Sequence, residues 1–531
     1  MTTWYVRPDA SHSGIRNGTS YATAWGSWSE IVWGGTGVVA GDTLYLCGAH
    51  SYTASIAIGA HGAASEATRV TIRGDYAIPG TISFSSTGFF DAGRNYTTLK
   101  SITITSAAPG YNCIYLSAKT GFVVDRCTLI GGVAGVTLAS NVAFTSCSIT
   151  NNMIYGQTIA GINQSIATAS IISAGVMVAG NTVHDTNLYG IQLSIASTNS
   201  AWTTSSLSGY TISNNTVYNI PGPPVYLRTS NNDTVTPPSI YSPGLTISGN
   251  TIYDCGTVAG PNGNHGGLLV TGFAAPLIIN NTIRNCYVTG AGIQTAKNIA
   301  PQVLFNTVSG IRSGTPTYEF QNGFPIDGNG IFFDNLTIGG LAFGNHISDL
   351  ISTGDRNSGA GLAFWTAIGS TFAGNIVVNC NRGVFYGRAE ETGNVVRNNT
   401  FINCNAGIWK AGTDVLVGNI TVKNNILHNC AIGFSLGANP SVNADYNCIY
   451  GAVTPYVDIP AGPNDLSIDP LLDASYRPRA AALKRGGTYL GGKDFYGKQF
   501  YNPPNIGAVD DLPATPRYLL TGPKNSNSAI R

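Results

Sequence analysis

Charge is scarce in this chain. Of its 531 residues only 10% are Asp, Glu, Lys or Arg, and the net charge is +1. That balance argues against a dominant electrostatic grip on nucleic acid or on an anionic bilayer. Helical proteins carry more Glu, Lys and Arg on their outer faces, so very little helix is expected. No run of 18 apolar residues exists, which argues against a transmembrane helix. The opening "MTTWYVRPDASHSG" shows no basic n-region or apolar h-region, so no secretory signal is read there. Ten cysteines are too few for a disulfide scaffold of this length. No CxxC pair occurs, and His and Cys do not cluster at zinc spacing. HExxH, GxSxG, P-loop and EF-hand patterns are also missing, which leaves zinc proteolysis, serine esterase and nucleotide chemistry without support.

Polarity comes instead from Ser, Thr and Asn, together with 66 Gly, which suits strands and tight turns. A neutral or weakly charged partner fits such a surface, and sugars are partners of that kind. One phrase recurs. "GNTIYDC", "NNTIRNC", "NNTFINC" and "NNILHNC" place an Asn before a short alternating strand that ends in Asp-Cys or Asn-Cys. Aligned on that Asn, copies fall at Asn181, Asn215, Asn250, Asn281, Asn306, Asn345, Asn375, Asn399, Asn425 and Asn447. The steps run from 22 to 39 residues, a short period with insertions that marks a solenoid. A second phrase lies between the copies: "YGIQLS", "AGIQTA", "NGIFFD", "AGLAFW", "RGVFYG" and "AGIWKA" each start near a Gly and continue as a strand.

Two strands per turn plus a shorter third segment is the cross-section of a right-handed parallel β-helix. The fold class read from the chain is therefore all-β. Stacked coils sit about 4.8 Å apart, so equivalent residues form ladders. Asn tolerates a left-handed corner, and its amide can bond to the Asn above and below. The cysteines five residues on (Cys255, Cys286, Cys380, Cys404 and Cys430) are expected inside, as a small apolar ladder of free thiols. Residues 1–100 read as an N-terminal cap with the first coils, 101–450 as the β-helix body, and 451–531 as a closing segment with a flexible tail.

"WYVRPDASHSGIRNGTSYATAW" followed by "AGDTLYL" resembles the entry segment of the pectate-lyase-like superfamily of right-handed β-helix proteins, and "IDPLL" and "NIGAVD" resemble its exit segment. The chain is also similar in composition to bacteriophage tailspikes. That resemblance implies a homotrimer located on a virion tail or outside the cell, acting on a bacterial surface polysaccharide. The fold hosts lyases, hydrolases, esterases, epimerases and inert adhesins, so activity has to come from the site.

Hydrolysis of a glycosidic bond normally needs two carboxyl groups, one protonated and one ionised. After the Gly of the second phrase, the first and third residues should point inward and the second and fourth outward. The fourth place holds Asp334, the one carboxylate of its ladder, and Trp365 one rung on. Trp409 shares the outer face, so the pattern reads as a groove with aromatic platforms. Asp327 precedes the same strand, Glu319 lies in a long insertion, and Glu390 follows the strand two rungs on. Any of these three is a partner for Asp334, although each is also an ordinary turn or loop residue. Glu319 or Asp327 is assigned the proton-donor role and Asp334 the ionised one. His265, Arg228, Arg388 and Lys410 are candidate substrate-binding groups. No cofactor is expected for hydrolysis. Elimination on a uronate polymer is the alternative, and it would bring in Ca²⁺ or a basic side chain to neutralise the acid. A third alternative is a spike or adhesin that binds sugar without cutting it.

Overall fold

The computed structural model describes residues 1–8, 14–107, 110–166, 171–195, 205–229, 241–256, 266–313, 328–350, 359–388, 391–410, 418–437 and 441–510. Glu319, Asp327, Glu390 and His265 lie outside them. The chain divides into two compact units, Met1–Asn231 and Asn232–Arg531. Among the described residues, helix is limited to single 3-10 turns at Trp28–Glu30, Glu66–Thr68 and Ala481–Leu483. No helix there is long and apolar enough to cross a membrane.

Each unit is built from three parallel sheets that receive successive segments of the chain in turn. In the first unit, sheet 1 runs from Thr3–Val6 to Thr211–Ser213, sheet 2 from Ile56–Ala57 to Val225–Arg228, and sheet 3 from Ala49–Tyr52 to Thr216–Tyr218. In the second unit, sheet 1 runs from Thr246–Ser248 to Val442–Asp445, sheet 2 from Leu268–Thr271 to Thr454–Val457, and sheet 3 from Thr251–Tyr253 to Cys448–Tyr450. Pairing is parallel and in register throughout. In sheet 3 of the second unit, for example, Ile283, Val308, Ile347, Val377, Phe401, Leu427 and Ile449 stack as one column. All seven are buried. Each unit is thus a right-handed parallel β-helix, as expected.

The recurring Asn phrase now has a structural meaning. Strands of sheets 1 and 3 are three or four residues long, and the chain must turn sharply between them. The turn is made by a left-handed residue just before the ladder Asn, such as Asn280 (φ 56°), Asn398 (φ 53°) or Asn424 (φ 60°). A second left-handed residue, Asp254, Asn285, Asn379, Asn403 or Asn429, ends the sheet 3 strand before the Cys. Asn is suited to both corners because its short polar side chain lowers the cost of positive φ. The ladder Asn itself is not the left-handed residue, which differs from the sequence expectation by one position.

The ladder side chains are fully buried and fully bonded. In the second unit, Asn250, Asn281, Asn306, Asn345, Asn375, Asn399 and Asn425 each donate from Nδ2 to Oδ1 of the next ladder Asn at 2.9–3.0 Å. The backbone N–H of each donates to that same oxygen at 2.8–3.1 Å. From Asn281 onward, Nδ2 also donates to a carbonyl of the preceding rung. Asp465 ends the series, since its Oδ1 accepts from the backbone and side chain of Asn447. The first unit has the same device in Asn152, Asn181 and Asn215, of which Asn152 escaped the sequence alignment.

The ten cysteines are buried and free, which includes the five expected inside. The C-terminal stretch packs along the side of the second unit. Phe495, Ala508 and Val509 cover Ile376, while Leu483 and Ile506 cover Ile426 and Cys448.

Asn375→Ala removes the acceptor for two buried donors of Asn345 and the donor to Asn399. It is expected to cost roughly 2–4 kcal/mol. The midpoint of denaturant unfolding should fall, whereas Asn464→Ala, on the exposed surface, should leave it nearly unchanged.

Candidate functional site

The outer face of sheet 2 in the second unit carries Asp334, Trp365 and Trp409. From Ala291–Ala296 to Ala406–Lys410 its strands carry the recurring Gly as their second residue, and the reason is steric. A Cβ on Gly292 would lie 2.5 Å from Val308, on Gly330 2.6 Å from Ile347, on Gly361 2.3 Å from Val377, on Gly383 2.4 Å from Phe401 and on Gly407 2.3 Å from Leu427. At this point the strand of sheet 2 runs against the inward side chains of sheet 3, and only Gly fits. From that fixed start the alternation follows. Ile293, Ile331, Leu362, Val384 and Ile408 form an inward column in register. Gln294, Phe332, Ala363, Phe385 and Trp409 form the outward column beside it.

The outward face is not the open trough that alternation suggested. Phe332, Ala363 and Phe385 are buried and pack with Ala291 and Ala360, with Trp365 and Trp409 half-buried against them. Side chains one rung apart lie roughly 5 Å from one another, so these residues cover part of each other's surface. Arg388 is exposed, with its guanidinium 4.4 Å from the centre of the Trp365 ring.

Asp334 is only 5% exposed, at the end of the strand Asn329–Asp334. Its Oδ2 accepts from Nε2 of Gln294 at 2.8 Å and from Nδ2 of Asn335 at 3.2 Å. Burial raises its pKa to about 6, against the smaller opposing pull of the Gln294 bond and of the Lys297 charge. A carboxyl that keeps its proton into this range has the character of a donor, not of the ionised partner expected from the sequence.

Lys410 is placed differently from the sequence expectation. It stands in register with Tyr386 and is 4% exposed, in the inward column two residues after Ile408. Its position as third residue after the Gly made that legible. Near it, Glu391 is fully buried in the corner after the strand, where its Oε1 accepts from the backbone N–H groups of Thr366, Gly387 and Arg388, each at 3.2 Å. Desolvation raises its pKa well above the ordinary value. Arg228 belongs to the first unit, where its Nη1 donates to the Tyr226 hydroxyl at 3.0 Å.

Arg382 was overlooked in the sequence. It precedes the Gly of "RGVFYG", is 5% exposed, and lies on the outer face with its guanidinium 5.0 Å from the Trp409 ring centre. Its Nε and Nη1 are buried with no hydrogen-bond partner, as are Nδ2 of Asn329 and Oε1 of Gln294 on the same face. A contrasting cavity of about 460 Å³ in the first unit is lined by residues that include His61, Arg94, Asn95 and Lys119. There several of the polar groups are engaged within the chain. Asn95 Oδ1 accepts from the N–H groups of Lys119 and Thr120, Arg94 Nε donates to the carbonyl of Ile58, and both ring nitrogens of His61 have partners.

The coils, the Asn ladder and the three sheets decide the class. The fold is that of pectate-lyase-like parallel β-helices. Two family models match parts of the chain. Residues 321–453 match the model described as periplasmic copper-binding protein (NosD), and residues 207–312 match the one described as disaggregatase related. No curated protein matches. Among solved structures, the chain is similar to tailspike protein 3 of bacteriophage CBA120 at 12% identity, covering 71% of this chain and 56% of that one, with a TM-score of 0.42. It is similar to the catalytic unit of a GH87 α-1,3-glucanase from Streptomyces thermodiastaticus at 14% identity, covering 72% and 62%, with a TM-score of 0.42. For pectate lyase Pel9A the identity is 13%, the coverage 96% and 97%, and the TM-score 0.25. The chain therefore spans little more than half of the tailspike's length, and these likenesses concern the fold alone.

Copper would ask for converging thiolates, thioethers or imidazoles. Within the matched β-helix segment, burial pushes the thiols of Cys380 and Cys448 up to about 12 and about 11. Among the described residues, no three of His, Cys, Asp and Glu come together as a metal site. The described residues do not fit a copper centre.

The raised pKa of Asp334 has a stability consequence with a definite sign. The folded state holds the proton more tightly than the unfolded chain does, so its contribution is full below the ordinary carboxylate value and lost as pH rises through about 6. The loss is on the order of 3 kcal/mol. Asp334→Asn is expected to remove this dependence. The variant should melt at or above the wild type at pH 7 and show a smaller change between pH 4 and pH 7, read by thermal unfolding at both pH values.

Proposed function

We propose that the outer face of sheet 2 in the second unit binds a polysaccharide and cleaves it by hydrolysis. The observation that carries this reading is Asp334, a carboxyl whose pKa is near 6, set at the end of a strand beside an aromatic cluster. Half-buried Trp365 and Trp409 offer apolar surface to sugar rings, and Gln294 orients the acid through its amide. Asp334 donates its proton to the leaving oxygen as the glycosidic bond breaks, and a second carboxylate activates water or attacks the anomeric carbon. Glu319, Asp327 and Glu390 are the candidates for that second group. The chain acts outside the cell or on a virion tail, as a homotrimer.

Elimination on a uronate polymer is the second reading, favoured by the Arg388 guanidinium laid over Trp365. In that case a cation neutralises the acidic sugar, and Ca²⁺ is the expected ion if the side chains do not suffice.

Asp334→Asn is expected to lower cleavage by about 10²–10⁴-fold while sugar binding and folding persist. In the wild type, cleavage should decline as pH rises through about 6, where the donor loses its proton. The measurement is release of new reducing ends from a panel of bacterial capsular and plant polysaccharides. Full activity in the variant would remove Asp334 from the site. Elimination would instead produce absorbance at about 235 nm from the new double bond, and binding with no new ends would mark a non-catalytic spike.

A further inference from the structure

Buried polar groups in folded proteins are almost always hydrogen-bonded, and each exception asks for an explanation. Arg382 is the largest such exception on the candidate face. Its side chain is 5% exposed, and its Nε and Nη1 are buried without a partner. Its neighbours in register are Ala360 and Ala406, so the adjoining rungs supply no carboxylate at that column. What touches the guanidinium is aromatic. The Trp409 ring centre is 5.0 Å away and that of Phe385 5.9 Å away. The rings offset part of the desolvation cost but accept no N–H hydrogen bond of ordinary strength. A desolvated, unpaired cation is a liability to the fold, and burial pulls its pKa down to about 10.

A guanidinium presents its N–H groups in a planar fork that matches a carboxylate in two parallel bonds. A second unpartnered donor, Nδ2 of Asn329, stands in the same column two rungs earlier, roughly 10 Å along the stack. We propose that Arg382 is a specificity-determining residue that receives a carboxylate of an acidic polysaccharide on this face. The proposal rests on reading that face as the sugar site, and it holds whether the polymer is then hydrolysed or eliminated. The bound carboxylate supplies the acceptors that the fold withholds. Trp409, beside it, packs on the sugar ring that carries the acid.

The test uses the whole chain, with polygalacturonate, alginate and a uronate-containing capsular polymer, each beside its carboxyl-reduced form. Binding is measured for the wild type, Arg382→Met and Arg382→Lys. The wild type is expected to bind at least one acidic polymer at least tenfold more tightly than its reduced form. Arg382→Met should bind the two forms about equally. Arg382→Lys keeps the charge but not the fork and should retain part of the preference, which makes it the decisive variant if Arg382→Met does not fold. A wild type indifferent to carboxyl reduction overturns the proposal, and so does full discrimination in either variant. Binding of neutral polymers alone overturns it while leaving the face as a sugar site. Binding of no polymer of either kind overturns both.

Discussion

Rung-to-rung registration through one buried amide is the interaction on which the rest of this structure depends. A parallel strand pair alone fixes spacing but tolerates slippage. A slip of one residue would turn every inward side chain outward. The ladder Asn prevents this because its Oδ1 accepts both the side-chain and the backbone N–H of the Asn on the preceding rung. Two donors on one oxygen leave a single register in which neither is orphaned. Loop lengths between rungs can therefore vary, with steps from 22 to 39 residues, without disturbing the columns.

The Gly column is the second constraint, and it has the opposite character. It works by excluding atoms. Where sheet 2 approaches sheet 3, a Cβ would overlap a Val, Ile, Phe or Leu of the interior. The strand is thereby pinned at its start, and the four residues that follow have their directions assigned. Asp334 and Trp365 face out and Lys410 faces in for that reason. The proposed site thus lies on a surface whose geometry the packing of the interior has already settled.

The two kinds of buried polarity in the second unit differ in completeness. The Asn ladder uses its donors and acceptors within the chain. On the outer face of sheet 2, by contrast, Arg382, Asn329 and Gln294 keep donors or acceptors unused, and burial raises the pKa of Asp334. Stability is commonly sacrificed at functional sites, where groups are arranged for a partner that the free protein lacks.

The fold was legible in the chain because a solenoid repeats its local problem. Asn at each corner, Gly at each close approach and Cys inside the coils recur, so the sequence alone determined the coiling, the scarcity of helix and the alternation along each strand, although Lys410 was assigned to the outer face and lies in the inward one. It also placed Asp334, Trp365 and Trp409 on one face. Tertiary structure decided the rest. Outward did not mean exposed, because Phe332 and Phe385 cover their neighbours across rungs that are distant in sequence. The protonation of Asp334 depends on burial and on Gln294, which lies 40 positions earlier. The significance of Arg382 lies in the lack of a partner, which no local pattern can encode. Periodicity is a property of the chain, whereas desolvation is a sum over everything nearby.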